Sequence, residues 1–151
     1  LWTVEAAAYS SPKYSFEKIH LNPKPLASGG IPLWISGTLN KNVLRRIVRF
    51  GSGWIPWGPD AMDPIGSLVK IAEEMEKGGR DMKGFQAGSY LQVVEDGGKI
   101  DAAATMAPVA AMAEAGITDF RATLDLPNEE AAVQDMLSPL VEAFRSAAGR
   151  S

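Results

Sequence analysis

From residue 31 to residue 151, short apolar runs and amphipathic helical patterns alternate four times. No other feature of the sequence narrows the fold as much. Strict strand–helix alternation returns each strand to the same end of the sheet, so it implies parallel strands joined by right-handed crossovers. Residues 31–36 are short, continuous and apolar, which predicts a buried strand. Residues 40–50 follow as a helix, with Val43, Leu44, Ile47 and Val48 on one face and Arg45, Arg46 and Arg49 on the other. Gly51 is expected to stop it as a left-handed cap. Residues 53–57 read as the second strand, ended by Pro56, which has no N–H to donate.

Asp63-Pro64 has the form of an N-cap followed by a proline at the first helical position. That helix is expected to run to Lys77 with Ile65, Leu68, Ile71, Ala72 and Met75 inward, and to end at Gly78-Gly79. Residues 85–94 read as the third strand, and Asp96-Gly97-Gly98 as a turn. Asp101 should cap a helix reaching Ala115, bent at Pro108 and terminated by Gly116. Residues 118–124 read as the fourth strand. Asn128 should cap a final helix carrying Val133, Leu137, Leu140, Val141 and Phe144. Residues 1–30, broken by Pro12, Pro23, Pro25 and Gly29-Gly30, read as a long irregular connection with at most a short helix near residues 1–8. Four units are half of a closed eight-stranded barrel, or a small open sheet.

Composition excludes more than it assigns. A chain of 151 residues, 46% apolar, can bury a sizeable core. The net charge of -3 offers no footprint for nucleic acid or an anionic membrane. With no cysteine there is no disulfide, thiolate metal site or cysteine nucleophile. No apolar run approaches the roughly 20 residues of a membrane span. A cytoplasmic location is the expectation. The opening Leu1-Trp2-Thr3, without Met, predicts a piece of a longer chain.

In parallel α/β folds ligands sit at the carboxyl ends of the strands. That rule selects Ser36, Gly37 and Thr38, then Trp57 and Gly58, then Gln92 or Glu95, then Thr123 and Asp125. At Ser36-Gly37-Thr38, glycine permits close backbone approach, the hydroxyls can donate, and the following helix offers unpaired N–H groups, as a phosphate requires. The same residues also suit a plain strand-to-helix bend, with Asn40 as its cap. Arg45, nearest the helix start, is the candidate for an acidic cofactor tail, although the three arginines also fit a solvated helix face. Of Trp54 and Trp57, one should be core, and Trp57, nearer the strand end, is expected to line the pocket. His20, the single histidine, fits a surface or packing role. Glu73, Glu74 and Glu76 fit a solvated face. No catalytic constellation emerges, and no metal site is expected.

The order of segments resembles the luciferase-like monooxygenase family, especially members using the deazaflavin coenzyme F420. "NPKPLASGGIPLWISG" (22–37) resembles that family's proline-punctuated approach to its fifth barrel strand. "VLRRIVRFGSGWIP" (43–56) resembles its arginine-rich helix and the Gly-x-Gly-Trp strand that follows. "EKGGRD" (76–81) and "LSPLVEAFR" (137–145) resemble its pre-seventh-strand and terminal helices.

The resemblance implies a parallel (β/α)8 barrel, with this chain as the C-terminal half: residues 1–30 the connection, residues 31–151 strands five to eight and their helices. It implies an oxidoreductase passing hydride between F420 and a small organic substrate, with an FMN-dependent monooxygenase as the alternative. The cofactor-binding positions it points to are Ser36, Gly37 and Thr38, with Leu39 and Asn40 entering the helix; Arg45 and Trp57 join the candidate set from their own positions. The ring pocket and the acid–base groups would lie in the other half, and the full-length protein is expected to be a homodimer. The reading from a different class is a non-catalytic open α/β module that binds a phosphorylated ligand at the Ser36 turn.

Overall fold

A computed structural model describes residues 1–27 and 29–149. The chain divides into two compact units, Leu1–Leu33 and Trp34–Ser151.

The first unit is built on an antiparallel hairpin, β1 (Ala7–Ser10) and β2 (Ser15–Ile19). Ser11 makes the turn: its amide and hydroxyl both donate to the Tyr14 carbonyl, at 3.0 and 2.9 Å. Tyr9 stacks on Phe16 across the strands, with ring centroids 5.9 Å apart. The short helix expected near residues 1–8 is not formed, because Ala7 and Tyr9 pair with β2 instead. Near the unit's ends, the Lys24 ammonium donates to the carbonyls of Leu1 and Val4, at 3.0 and 2.7 Å.

The second unit is a mixed α/β structure around a four-stranded parallel sheet. Its strands are β3 (Trp34–Ser36), β4 (Gly53–Ile55), β5 (Gln86–Tyr90) and β8 (Asp119–Arg121), in that spatial order. Between them run α1 (Lys41–Phe50), α2 (Pro64–Lys77), a hairpin of β6 (Glu95–Asp96) and β7 (Lys99–Ile100), α3 (Ala102–Met106) and α4 (Val109–Glu114). The last helix is α5 (Glu130–Ala147). All four strand–helix units expected from the sequence are present.

Each strand is shorter than its apolar run. The first begins at Trp34 rather than Ile31: Pro32 supplies no ladder donor, and Ile31 is 55% exposed. The second ends at Ile55, before Pro56. The third leaves the sheet after Tyr90, and further on the Val94 amide turns to the Thr105 hydroxyl at 3.0 Å. The fourth ends at Arg121, opposite Tyr90, the last residue of β5.

Helix ends follow the caps with some corrections. Asn40 accepts from the amides of Asn42 and Val43, at 2.9 and 3.1 Å. Asp63 accepts from Gly66 at 2.9 Å and Asp101 from Ala104 at 2.9 Å. Gly51 is not a left-handed cap: its backbone is extended, with φ -70°. The Arg80 guanidinium does that work, donating to the carbonyls of Ile47, Val48 and Gly51 at 2.8, 2.9 and 3.0 Å. Pro108 splits the expected bent helix into α3 and α4. The final helix is capped at Glu129, one residue beyond Asn128, and without a side-chain bond. Ile65 is 38% exposed rather than inward, whereas Leu68, Ile71 and Met75 are buried. Among the described residues no helix is long and apolar enough to cross a membrane.

Strand register sorts the sheet into two unlike faces. Paired residues of parallel strands project to the same side, and residues one apart project to opposite sides. Ile35, Trp54, Ala87 and Phe120 share one face. They pack with Val43 and Ile47 of α1, Leu68, Ile71 and Met75 of α2, and Met112 of α4. Phe120 also meets Phe144 of α5 edge-on, with ring centroids at 5.6 Å. The other face carries Trp34, Ser36, Gly53, Ile55, Gln86, Gly88, Tyr90, Asp119 and Arg121. None of these belongs to the helix-packed clusters. The helices therefore cover one side of the sheet, and the uncovered side is mostly polar.

Candidate functional site

The turn from β3 into α1 is held from three sides. Gly37 has φ +135°, a conformation L side chains rarely adopt. A Cβ there would also come within 3.3 Å of Val43 Cγ2. The Gly37 amide donates to the Ile55 carbonyl at 3.2 Å, and the Gly37 carbonyl accepts from the Trp54 indole at 2.9 Å. Trp54 is fully buried, so one side chain is both core and anchor for the turn. Thr38 reaches across to the neighbouring strand end, its hydroxyl 3.4 Å from the Trp57 carbonyl.

The donors at this turn are mostly in use. Asn40 takes the amides of Asn42 and Val43. The Asn40 amide closes a tight turn onto the Thr38 carbonyl at 2.7 Å. The Leu39 amide donates to the Asp60 carboxylate at 2.6 Å. The Lys70 ammonium donates to the Leu39 carbonyl at 3.2 Å and, among the described residues, forms no salt bridge with Asp60. Among the described residues, the amides of Thr38 and Lys41 have no partner. Those two amides, with the exposed Ser36 hydroxyl, are what remains for an anion; the Thr38 hydroxyl already donates to the Trp57 carbonyl. Asp60, placed by the 3₁₀ turn Gly58–Ala61, opposes it with a negative charge.

The structure brings Ser36, Gly37, Thr38 and Asn40 together with the backbone of Trp57 and Gly58. Trp57 is 66% exposed, while Trp54 is core. Arg45 does not join them. It lines an outer groove between α1 and α2 with Lys41, Arg49, Glu74 and Lys77. Its position one turn beyond Lys41 on the same face explains this. Among the described residues no group of His, Asp and Glu could hold a metal ion.

Beyond the carboxyl ends of β5 and β8 lies a cavity of about 710 Å³, whose walls include Glu95, Lys99, Thr123, Asp125 and Asp135. Three of the strand-end positions picked from the sequence, Glu95, Thr123 and Asp125, line it. On the uncovered face nearby, Asp119 Oδ1 accepts from Arg121 Nε at 2.6 Å. That bond, with the charge of Asp119 and then the adjacent Tyr90 phenol, raises the Arg121 pKa above its ordinary value.

Sequence reasoning missed Asp60, Lys70, Arg80, Tyr90, Asp119 and Arg121. Only the last two left a local trace: a D-x-R spacing in a strand places both side chains on one face. The other four act across 21 to 33 residues or need the sheet register.

No family model matches the chain, and no curated protein matches it in sequence.

Proposed function

We propose that this chain is the C-terminal half of a luciferase-like (β/α)8 barrel. In that reading it anchors the phosphate of F420, or alternatively FMN, and forms part of the pocket wall of an oxidoreductase acting on a small organic molecule. The observation that carries the reading is the sheet: strand order follows chain order, helices cover one face, and the opposite face carries Ser36, Gln86, Tyr90, Asp119 and Arg121 beside Trp34 and Ile55. A doubly wound sheet would instead reverse its strand order and carry helices on both faces. A (β/α)8 barrel has its helices outside, fills its inner face with side chains and binds ligand at the carboxyl ends of the strands.

The turn fits a phosphate through the Ser36 hydroxyl and the amides of Thr38 and Lys41, and the Thr38 hydroxyl could join only by releasing the Trp57 carbonyl. Gly37 lets the ligand approach the backbone. Asp60 weakens the site by its charge. When bound, the cofactor supplies hydride chemistry at its ring. The residues of this chain bind and orient it. Trp54 fixes the Gly37 carbonyl, and the backbone of Trp57 borders the turn through its carbonyl.

The test is titration of the protein with F420 and with FMN, followed by cofactor absorbance and fluorescence, in the parent and in Ser36→Ala and Gly37→Val. The expected result is binding that weakens about threefold in Ser36→Ala, the effect of one hydrogen bond, and more in Gly37→Val, where strain adds to steric exclusion. Equal affinity in all three proteins would refute the cradle. Binding of a simple phosphate ester at the turn without either cofactor would favour the open α/β module.

A further inference from the structure

We propose that Arg121, held by Asp119 beside Tyr90 on the uncovered sheet face, binds the carboxylate of a small organic substrate. This substrate assignment rests on the half-barrel reading above.

The three side chains meet because of register. Tyr90 and Arg121 are partners across β5 and β8, and Asp119 precedes Arg121 by two on the same face. Asp119 engages only Nε, at 2.6 Å. Among the described residues the terminal nitrogens of Arg121 form no salt bridge. A guanidinium gripped at Nε keeps its end edge available, and that edge matches the two oxygens of a carboxylate. Tyr90 stands on the neighbouring strand at the same level, where its hydroxyl can donate to the same anion. Gly88, opposite Asp119, is buried and adds no side chain to the cluster: a Cβ there would meet Asp119 Oδ1 at 3.6 Å and Pro56 Cδ at 3.7 Å.

Charge selects the ligand class. Arg121 and Asp119 together are neutral, so a monovalent carboxylate gains the fork without meeting a net field. A phosphate dianion would face Asp119 with no second cation at the cluster. It would also lack the cluster of backbone amides that phosphate sites use.

Position separates this group from the cofactor. Ser36 lies on β3 and Arg121 on β8, three strand spacings or about 14 Å apart. A cofactor phosphate at the first edge leaves the fourth strand for the substrate. Both lie at the ends of their strands, where ligands of parallel sheets bind.

The test is titration of the isotope-labelled protein with benzoate, with benzamide as the uncharged match and chloride at equal ionic strength as the control, followed by NMR of the Arg121 Nε–H and the Tyr90 and Arg121 amides. Benzoate alone should shift these signals. Arg121→Gln should weaken benzoate binding about tenfold or more, the loss of a charge-assisted bidentate contact. Arg121→Lys should recover less than half of that loss, in logarithmic terms, because an ammonium has no fork. Tyr90→Phe should weaken it about two- to fivefold. Affinity should stay flat from about pH 6 to 9, since arginine does not deprotonate there. Thermal melts establish that the variants fold, and the exposure of Arg121 makes that the expected result. Equal shifts with benzoate and benzamide, or unchanged affinity in Arg121→Gln, would overturn the site. Benzoate binding in a protein that takes neither F420 nor FMN would remove the substrate assignment and sink the oxidoreductase reading separately.

Discussion

Trp54→Phe is the sharpest probe of how the core holds the candidate site. The indole is fully buried among Val43, Ile47, Leu68, Ile71 and Ala87. Its N–H is also the partner of the Gly37 carbonyl, at 2.9 Å. Phenylalanine keeps most of the apolar contact and removes the donor. An unpaired, partly buried carbonyl costs about 1–2 kcal/mol. The void left by the smaller ring adds about 1 kcal/mol. The sum, about 2–3 kcal/mol, corresponds to a Tm lower by about 5–10 °C for a chain of this size. The loss should be uneven. The Gly37 amide, bonded to Ile55 at 3.2 Å, should exchange with solvent about tenfold faster than expected from global destabilisation. Amides in α5, which do not touch the turn, should follow only the global change. Calorimetry gives the first number and hydrogen exchange by NMR the second. A Tm within 1 °C of the parent, with unchanged exchange at Gly37, would show that the indole bond does not hold the turn.

Two further substitutions separate the remaining roles. Asp60→Asn keeps an acceptor for the Leu39 amide and removes the charge opposing an anion. Affinity for inorganic phosphate or the cofactor should rise about two- to fivefold, read by isothermal titration, as expected for a partly screened charge pair; weaker binding would mean that Asp60 organises the site rather than opposing it. Arg80→Ala strips α1 of three charge-assisted bonds at its carboxyl end and should cost about 2–4 kcal/mol in urea unfolding. Arg80→Lys should restore less than half, because one ammonium cannot span three carbonyls, and full restoration would contradict the geometry.

The sequence by itself determined the alternation of four strand–helix units, and with it the parallel sheet. Those signals are local. An apolar run, a helical stripe or an Asp-Pro cap acts over a few residues, and Asn40, Asp63 and Asp101 cap their helices where the sequence placed them. The division between Trp54 and Trp57 was also legible, because Pro56 ends the strand between them. The strands came out shorter than their apolar runs, since a strand extends only as far as a partner offers donors and acceptors. Pro32, and the end of β5 at Tyr90, set those limits.

Tertiary structure alone decided what the site contains. Arg45 has the charge a cofactor tail would attract, but helix periodicity turns it to the α1–α2 groove. Asp60 reaches the Leu39 amide across 21 residues, and Arg80 caps a helix about 30 residues away. Tyr90, Asp119 and Arg121 meet only through the register of β5 on β8. Periodicity reports which residues of one element share a face. It carries no information on which face the helices of other elements leave uncovered. That follows from strand order, which assembles side chains distant in the sequence on the open side of the sheet.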